Sequence, residues 1–284
     1  IKLLRKNIYT CQWFLSQLSG ESTTTNESKT TWLYDYLMKS PEAFSATRSI
    51  FSDLVCTCIT VVNNSNDCIE NKHGLKHDPF KALIAPRPIG WIATISGDNT
   101  LNLAPYSFFN AVAANPNYVM FSSVERKDSL RNIEQNGEFT CSLSTWDTRD
   151  WKNVSSAPVD YLADEFALAN LETAPSQFVA PPRVARAPAA LECKHWKTIN
   201  LPDVAPGSDD GHFMIIGQVV GIYIDDKFIQ DGIVNTAEMR PLARMGYMDY
   251  GVITPETTFV MHRPTVKDDG NVEAAKGEWD GVYR

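Results

Sequence analysis

Past residue 78 the chain breaks into short apolar runs separated by turn residues, a spacing that favours strands over long helices. "PIGWIATIS" is followed by "GDNT" and then by "LNLAPYSFF", which predicts a strand, a tight turn and a returning strand. "YVMFSSV", "GEFTCSLST" and "HFMIIGQVVGIYID" predict three more strands. With few helical patterns between them, these runs argue for an antiparallel barrel. Two helices are expected. "DSLRNIEQNG" sets Leu130 and Ile133 three apart, offers Asp128 or Ser129 as a cap and ends at Gly137. "PVDYLADEFALANL" is the second. The Pro-rich stretch "APPRVARAPAALEC" reads as an extended connection before another strand, and no internal repeat is evident.

The first 73 residues differ in composition. Ser/Thr/Asn-rich stretches ("SGESTTTNESKTTW", "NNSNDC") flank one candidate helix, "WLYDYLMKSPEAF", and one β-branched run, "LVCTCITVV". The expected division is therefore a loop-rich extension over 1–73, with no chemistry of its own, and a folded domain over 74–284. The opening "IKLLRKNIYTCQWFLSQLSG" carries three basic residues and no acid, a composition suited either to an organelle transit segment or to a surface helix.

Charge and composition then remove several function classes. The 34 acidic residues outnumber the 26 basic ones, for a net charge of −8, so a broad positive face for nucleic acid is not expected. No run approaches the roughly 20 apolar residues of a membrane-spanning helix. The six cysteines are too sparse for a disulfide framework, and Cys56-x-Cys58 lacks the spacing and the second pair of a zinc knuckle. Reduced thiols, no metal and a cytoplasmic location are the expectation, with Cys141 and Cys193 as buried small hydrophobes.

One stretch stands against the acidic background. In "SSVERKDSLRN", Arg126 and Lys127 precede a helix start, where unpaired N–H groups and the positive end of the dipole make added positive charge unfavourable. A bound anion relieves that conflict; a solvated turn with Asp128 as an ordinary helix cap is the alternative.

Taken together, "HDPFKALIAPRPIGWIATIS", "LNLAPYSFFNAVAANPNYVMFSS", "RKDSLRNIEQNGEFTCSL", "HFMIIGQVVGIYIDD" and "RPLARMGYMDYGVI" resemble the flavin reductase-like family of FMN-binding split barrels. That family includes flavoredoxins and the reductase components of two-component monooxygenases. The resemblance spans roughly residues 74–263. It implies a mainly β fold, an antiparallel split barrel with a few peripheral helices. It also implies a homodimer with one FMN per subunit near the interface, and hydride chemistry with NADH or NADPH.

The site residues follow residue by residue. Arg126, Lys127, Ser129 and the helix-start N–H groups suit the FMN phosphate. The segment from Ala104 through Tyr106, Ser107, Phe108 and Asn110 is expected to line the flavin, with Phe108 or Phe109 in the core. Trp91 and Thr94 lie three apart and so face opposite sides of a strand, one towards flavin and one into packing. Ser122 and Ser123 add hydrogen bonds to the ribityl or phosphate groups. His212 is the catalytic candidate, although Gly211 stands where relatives often carry an Asp, with Asp210 one step further back. Arg244 and Tyr250 belong to a loop expected to close over the flavin.

The implied activity is an NAD(P)H-dependent flavin reductase, or a flavoredoxin-like carrier, passing electrons to a monooxygenase or another acceptor protein. No Ser/His/Asp or Cys/His arrangement and no glycine-rich dinucleotide fingerprint competes with it; "GIYIDDKFIQDG" lacks the required glycine spacing. The alternatives are a non-catalytic FMN-binding electron carrier and a pyridoxamine-phosphate-oxidase-like split barrel.

Overall fold

A computed structural model of the chain describes residues 74–161, 163–202 and 211–274. The chain divides into two compact units, Ile1–Asp78 and Pro79–Arg284. The candidate helix and strand before residue 73, the Cys56-x-Cys58 pair and Asp210 all lie outside the described residues.

Within the second unit a short helix α1 (Phe80–Leu83) leads into β1 (Arg87–Pro88), β2 (Gly90–Ile95), β3 (Leu101–Tyr106), β4 (Phe109–Ala113) and β5 (Tyr118–Val124). Helix α2 (Asp128–Asn136) and strand β6 (Glu138–Leu143) follow, then α3 (Arg149–Val154) and α4 (Glu165–Leu168). A ribbon of β7 (Thr173–Ala174) and β8 (Arg183–Val184) precedes the two long strands β9 (Ala189–Leu201) and β10 (His212–Ile224). The rest is β11 (Ile229–Gln230) with β12 (Ile233–Val234), β13 (Leu242–Arg244) with β14 (Tyr250–Val252), and β15 (Thr265–Val266) with β16 (Val272–Glu273).

Seven strands form one antiparallel sheet in the order β3-β2-β6-β9-β10-β5-β4, and β1-β13-β14 form a separate three-stranded sheet. Strands β3 and β4 are separated by two residues in the chain yet occupy opposite ends of that order, so the sheet has to curl back on itself. The Ser122 N–H donates to the Phe108 carbonyl in that gap at 2.8 Å. The curled but unclosed sheet is a split barrel, with the helices at its periphery.

Alternation along the strands explains how the interior fills. Ile92, Phe121, Phe139, Cys193 and Ile215 point inward and meet Leu130 and Ile133 of α2 in one core cluster. On the other side of β2, Trp91 and Ala93 join Leu103, Phe166 and Val184 in a second. Both faces of β2 are therefore covered, so Trp91 and Thr94 are each fully enclosed although they face opposite ways. Gly217 is demanded by the packing: a Cβ there would sit 2.4 Å from the buried Phe139 ring. Cys141 and Cys193 are free and buried, and burial pushes the Cys141 thiol up to about 12.

Two local expectations are corrected. Neither Asp128 nor Ser129 caps α2; Lys127 occupies the cap position with no side-chain cap, Asp128 is the first helical residue, and Gly137 closes the helix in the left-handed conformation. The helix expected over 158–171 shrinks to the four residues of α4. Its start is set by Asp164, whose carboxylate takes the Ala167 N–H at 3.1 Å and so competes with any helix running through it.

Candidate functional site

A cleft of about 1030 Å³ opens where β3 ends and α2 begins. One wall is Ala104, Pro105 and Tyr106 of β3; a second is Glu125, Arg126, Lys127, Asp128 and Ser129; a third is the segment 155–159 with Tyr161. Asn200, Gly211 and Phe213, where β9 and β10 approach each other, complete it.

The turn into α2 positions its charges. Glu125 adopts a left-handed backbone (φ 65°), and its N–H donates to the Gly211 carbonyl at 2.9 Å. Chain direction thus changes sharply after β5 and sets Arg126 and Lys127 at the cleft. Arg126 lies over the Phe213 ring, 5.3 Å from its centroid, and is ion-paired with Glu134. Lys127 pairs with no carboxylate among the described residues. The first in-helix bond runs from the Arg131 N–H to the Lys127 carbonyl at 3.0 Å. The N–H groups of Asp128, Ser129 and Leu130 precede it, and no side-chain cap takes them. Cations and helix-start donors therefore share one rim of the cleft.

The floor is polar but closed. The Ser129 hydroxyl donates to Asn102 Oδ1 at 2.9 Å, and Asn102 Nδ2 donates to both oxygens of the buried Glu165 carboxylate at 3.0 and 3.1 Å. Burial raises the Glu165 carboxyl above its ordinary value, offset in part by the Leu103 N–H and Asn102. Asp128 is likewise raised by burial, with Arg131 opposing. Tyr106 packs against Phe121 with the two rings tilted and their centroids 4.6 Å apart, and its phenol is raised by burial against hydrogen bonds with Ser129 and Ser123.

Of the residues singled out in the sequence, Ala104, Tyr106, Arg126, Lys127 and Ser129 line the cleft. The others lie around it or elsewhere. Trp91 and Thr94 have no exposed surface. The Trp91 indole instead donates to Ser155 Oγ at 2.9 Å and braces the third wall, while Thr94 donates to Asn102 Oδ1 at 3.2 Å. Ser107 and Phe108 form the half-buried turn between β3 and β4, and Asn110 is exposed on β4, its Oδ1 accepting the Ala111 N–H. Ser122 is half-buried, and the buried Ser123 donates to the Glu125 carbonyl at 3.2 Å, supporting the turn.

His212 is exposed, and strand alternation turns it to the face opposite Phe213. Arg244 and Tyr250 face each other across β13 and β14 in the separate sheet, outside the cleft lining.

Asn102, Arg131, Tyr161, Glu165 and Phe213 were not singled out in the sequence. Only Asn102, a polar residue inside the apolar "LNLAPY", carried a visible signal. The Arg131 guanidinium lies 5.4 Å from the Tyr161 ring centroid and 3.6 Å from the Asp128 carboxylate, extending the polar rim. Among the described residues no His, Cys, Asp and Glu cluster of metal-binding geometry occurs, and no helix is long and apolar enough to cross a membrane.

Comparison with known proteins places the fold. An uncharacterized protein of Halalkalibacterium halodurans is 32% identical over 191 residues, covering 66% of this chain and 90% of that protein. Nitrilotriacetate monooxygenase component B from Bacillus cereus superposes with a TM-score of 0.60 at 27% identity, covering 66% of this chain and 94% of that one. The flavoredoxin of Desulfovibrio vulgaris (Miyazaki F) shares the fold, with a TM-score of 0.56 at 19% identity over 66% of this chain and 97% of its own. Residues 83–242 match the family described as the flavin reductase like domain, more than half the chain. The chain belongs to the flavin reductase-like family.

Proposed function

We propose that the protein is an FMN-binding oxidoreductase that accepts hydride from NADH or NADPH and passes the electrons on, as a flavin reductase or a flavoredoxin-like carrier. The observation that carries this reading is the junction of an uncapped helix start with Arg126 and Lys127 on the rim of a cleft walled by β3. A phosphate ester is the anion best matched to backbone N–H donors beside a guanidinium and an ammonium. The donor set fits FMN. Arg126, Lys127 and the first N–H groups of α2 would hold its phosphate, and Ala104, Pro105 and Tyr106 would flank its ring. When bound, the flavin supplies the hydride and electron chemistry.

The chain's own part is binding and orientation. The polar rim would fix the charged tail, and the 155–159 wall, braced by Trp91, would flank the bound molecule. No acid–base residue is required at the cleft for hydride transfer. A homodimer, and a monooxygenase or other acceptor protein receiving the electrons, are part of the same proposal; the likeness to a monooxygenase component B supports the second.

Anaerobic mixing of the FMN-loaded protein with NADH and with NADPH tests it. Rapid bleaching of the flavin absorbance by either is the expected result. Bleaching only by a protein donor makes the protein a carrier, and a protein that takes up no FMN ends the reading.

A further inference from the structure

At the cleft floor and beneath it, five buried polar side chains form one chain of hydrogen bonds with a fixed direction. A carboxylate has only acceptor oxygens, so Glu165 takes Asn102 Nδ2 at 3.0 and 3.1 Å and the Leu103 N–H at 2.9 Å. With its amide nitrogen so committed, Asn102 has to present Oδ1 on the other side. There it accepts the Ser129 hydroxyl at 2.9 Å and the Thr94 hydroxyl at 3.2 Å. Thr94 in turn accepts Asn132 Nδ2 at 3.0 Å. These side chains come from β2, β3, α2 and α4, and each residue is no more than 6% exposed. Replacing any one leaves a buried polar atom to find another partner.

We propose that Glu165 is a positioning residue of the mononucleotide site, acting through Asn102 to pin the first turn of α2 against β3; this rests on the flavin reading above. Ser129 is the second residue of α2, so its bond to Asn102 fixes the helix start relative to Ala104–Tyr106 on the same strand as Asn102. That spacing is the span between the phosphate anchor and the ring wall. A ligand touching both ends, such as FMN, is sensitive to the spacing. Riboflavin, which has the ring but no phosphate, is not. A lone packing role for Glu165 would weaken both alike.

Glu165→Gln is the informative substitution because it keeps size and removes the charge. Its Nε2 can donate to Asn102 Oδ1, which lets the amide turn over and release Ser129. Fluorescence titration of the full chain is expected to show an FMN Kd about tenfold higher, the worth of a hydrogen bond, and a riboflavin Kd within about twofold of wild type. Ser129→Ala should give the same signature, and the double variant should lose no more than either single one, because both break one link.

Equal weakening of FMN and riboflavin, an unchanged FMN to riboflavin ratio, or multiplying effects in the double variant would overturn the proposal. If Glu165→Gln fails to fold, Ser129→Ala decides alone, an unchanged ratio counting against it. A wild-type protein with no preference for FMN over riboflavin defeats the mononucleotide reading itself. A wild-type preference kept in both variants defeats only the positioning role.

Discussion

Two of the groups in which cations lie beside aromatic rings spend their charge in opposite ways. On the three-stranded sheet the buried Arg87 donates to the carbonyls of Lys81, Ile84 and Met245. Arg244 donates to the Tyr247 and Met248 carbonyls, and the buried Lys152 to the Tyr250 hydroxyl at 2.9 Å. At the cleft, Arg126 has only a half-exposed pairing with Glu134, and Lys127 pairs with no carboxylate among the described residues. Positive charge close to a ring therefore does not define a ligand site. What matters is whether the donors are already taken by the protein's own carbonyls and hydroxyls, and of these two groups it is the α2 rim whose cations donate to no carbonyl or hydroxyl among the described residues.

The sharpest way to break this contrast is to remove charge from each group. Arg126→Ala/Lys127→Ala is expected to raise the FMN Kd by about 100-fold, the loss of two charge-assisted contacts. Arg244→Ala should leave it within about twofold, since those donors serve the loop. Equilibrium titration of FMN fluorescence measures both, and comparable losses in the two variants would erase the distinction.

The sheet group should answer in stability instead. Tyr250→Phe strips the buried Lys152 ammonium of its hydroxyl partner and should cost about 1–3 kcal/mol. Lys152→Met, which removes the charge and keeps the shape, should be near neutral or stabilising. Denaturant unfolding of the two variants separates these outcomes. A cost for Lys152→Met larger than that for Tyr250→Phe would mean that the ammonium has a role beyond this pair.

Much of the fold is legible in the sequence because short apolar runs bounded by turn residues mark strands. The runs around Trp91, Phe121, Phe139 and Ile215 mark β2, β5, β6 and β10, and Leu130 with Ile133 marks α2. The basic pair at the start of α2 is legible for a different reason: two cations at a helix start are locally unfavourable, and the conflict shows in one dimension. Glu165 is not, because its partner Asn102 lies 63 residues away and the chain around it reads as ordinary helix. His212 is exposed on the strand face opposite Phe213, and a strand start does not declare in the sequence which face its side chain takes. The carbonyl partners of Arg244 and the Lys152 partner of Tyr250 leave no pattern in the sequence around those residues.

Titration sharpens the contrast further. Burial raises the Glu165 carboxyl above 4.5, its ordinary value. Over the interval between the two values the folded protein keeps a proton that the unfolded chain has lost, so stability falls as pH rises through it. Relative to Glu165→Gln, the wild-type melting temperature should decline from about pH 4.5 upward and then level off. A gap between the two proteins that stays constant with pH would contradict the burial of that charge. The smallest expected effect is at Glu134. Freeing Arg126 with Glu134→Gln should tighten FMN binding by about two- to fivefold, the modest worth of an exposed ion pair.

The most direct measurement is a crystal structure of the chain with FMN bound. The account requires phosphate oxygens within about 2.7–3.2 Å of the first N–H groups of α2, with Arg126 and Lys127 turned onto them. A phosphate found in solvent, or seated against the three-stranded sheet, would contradict it.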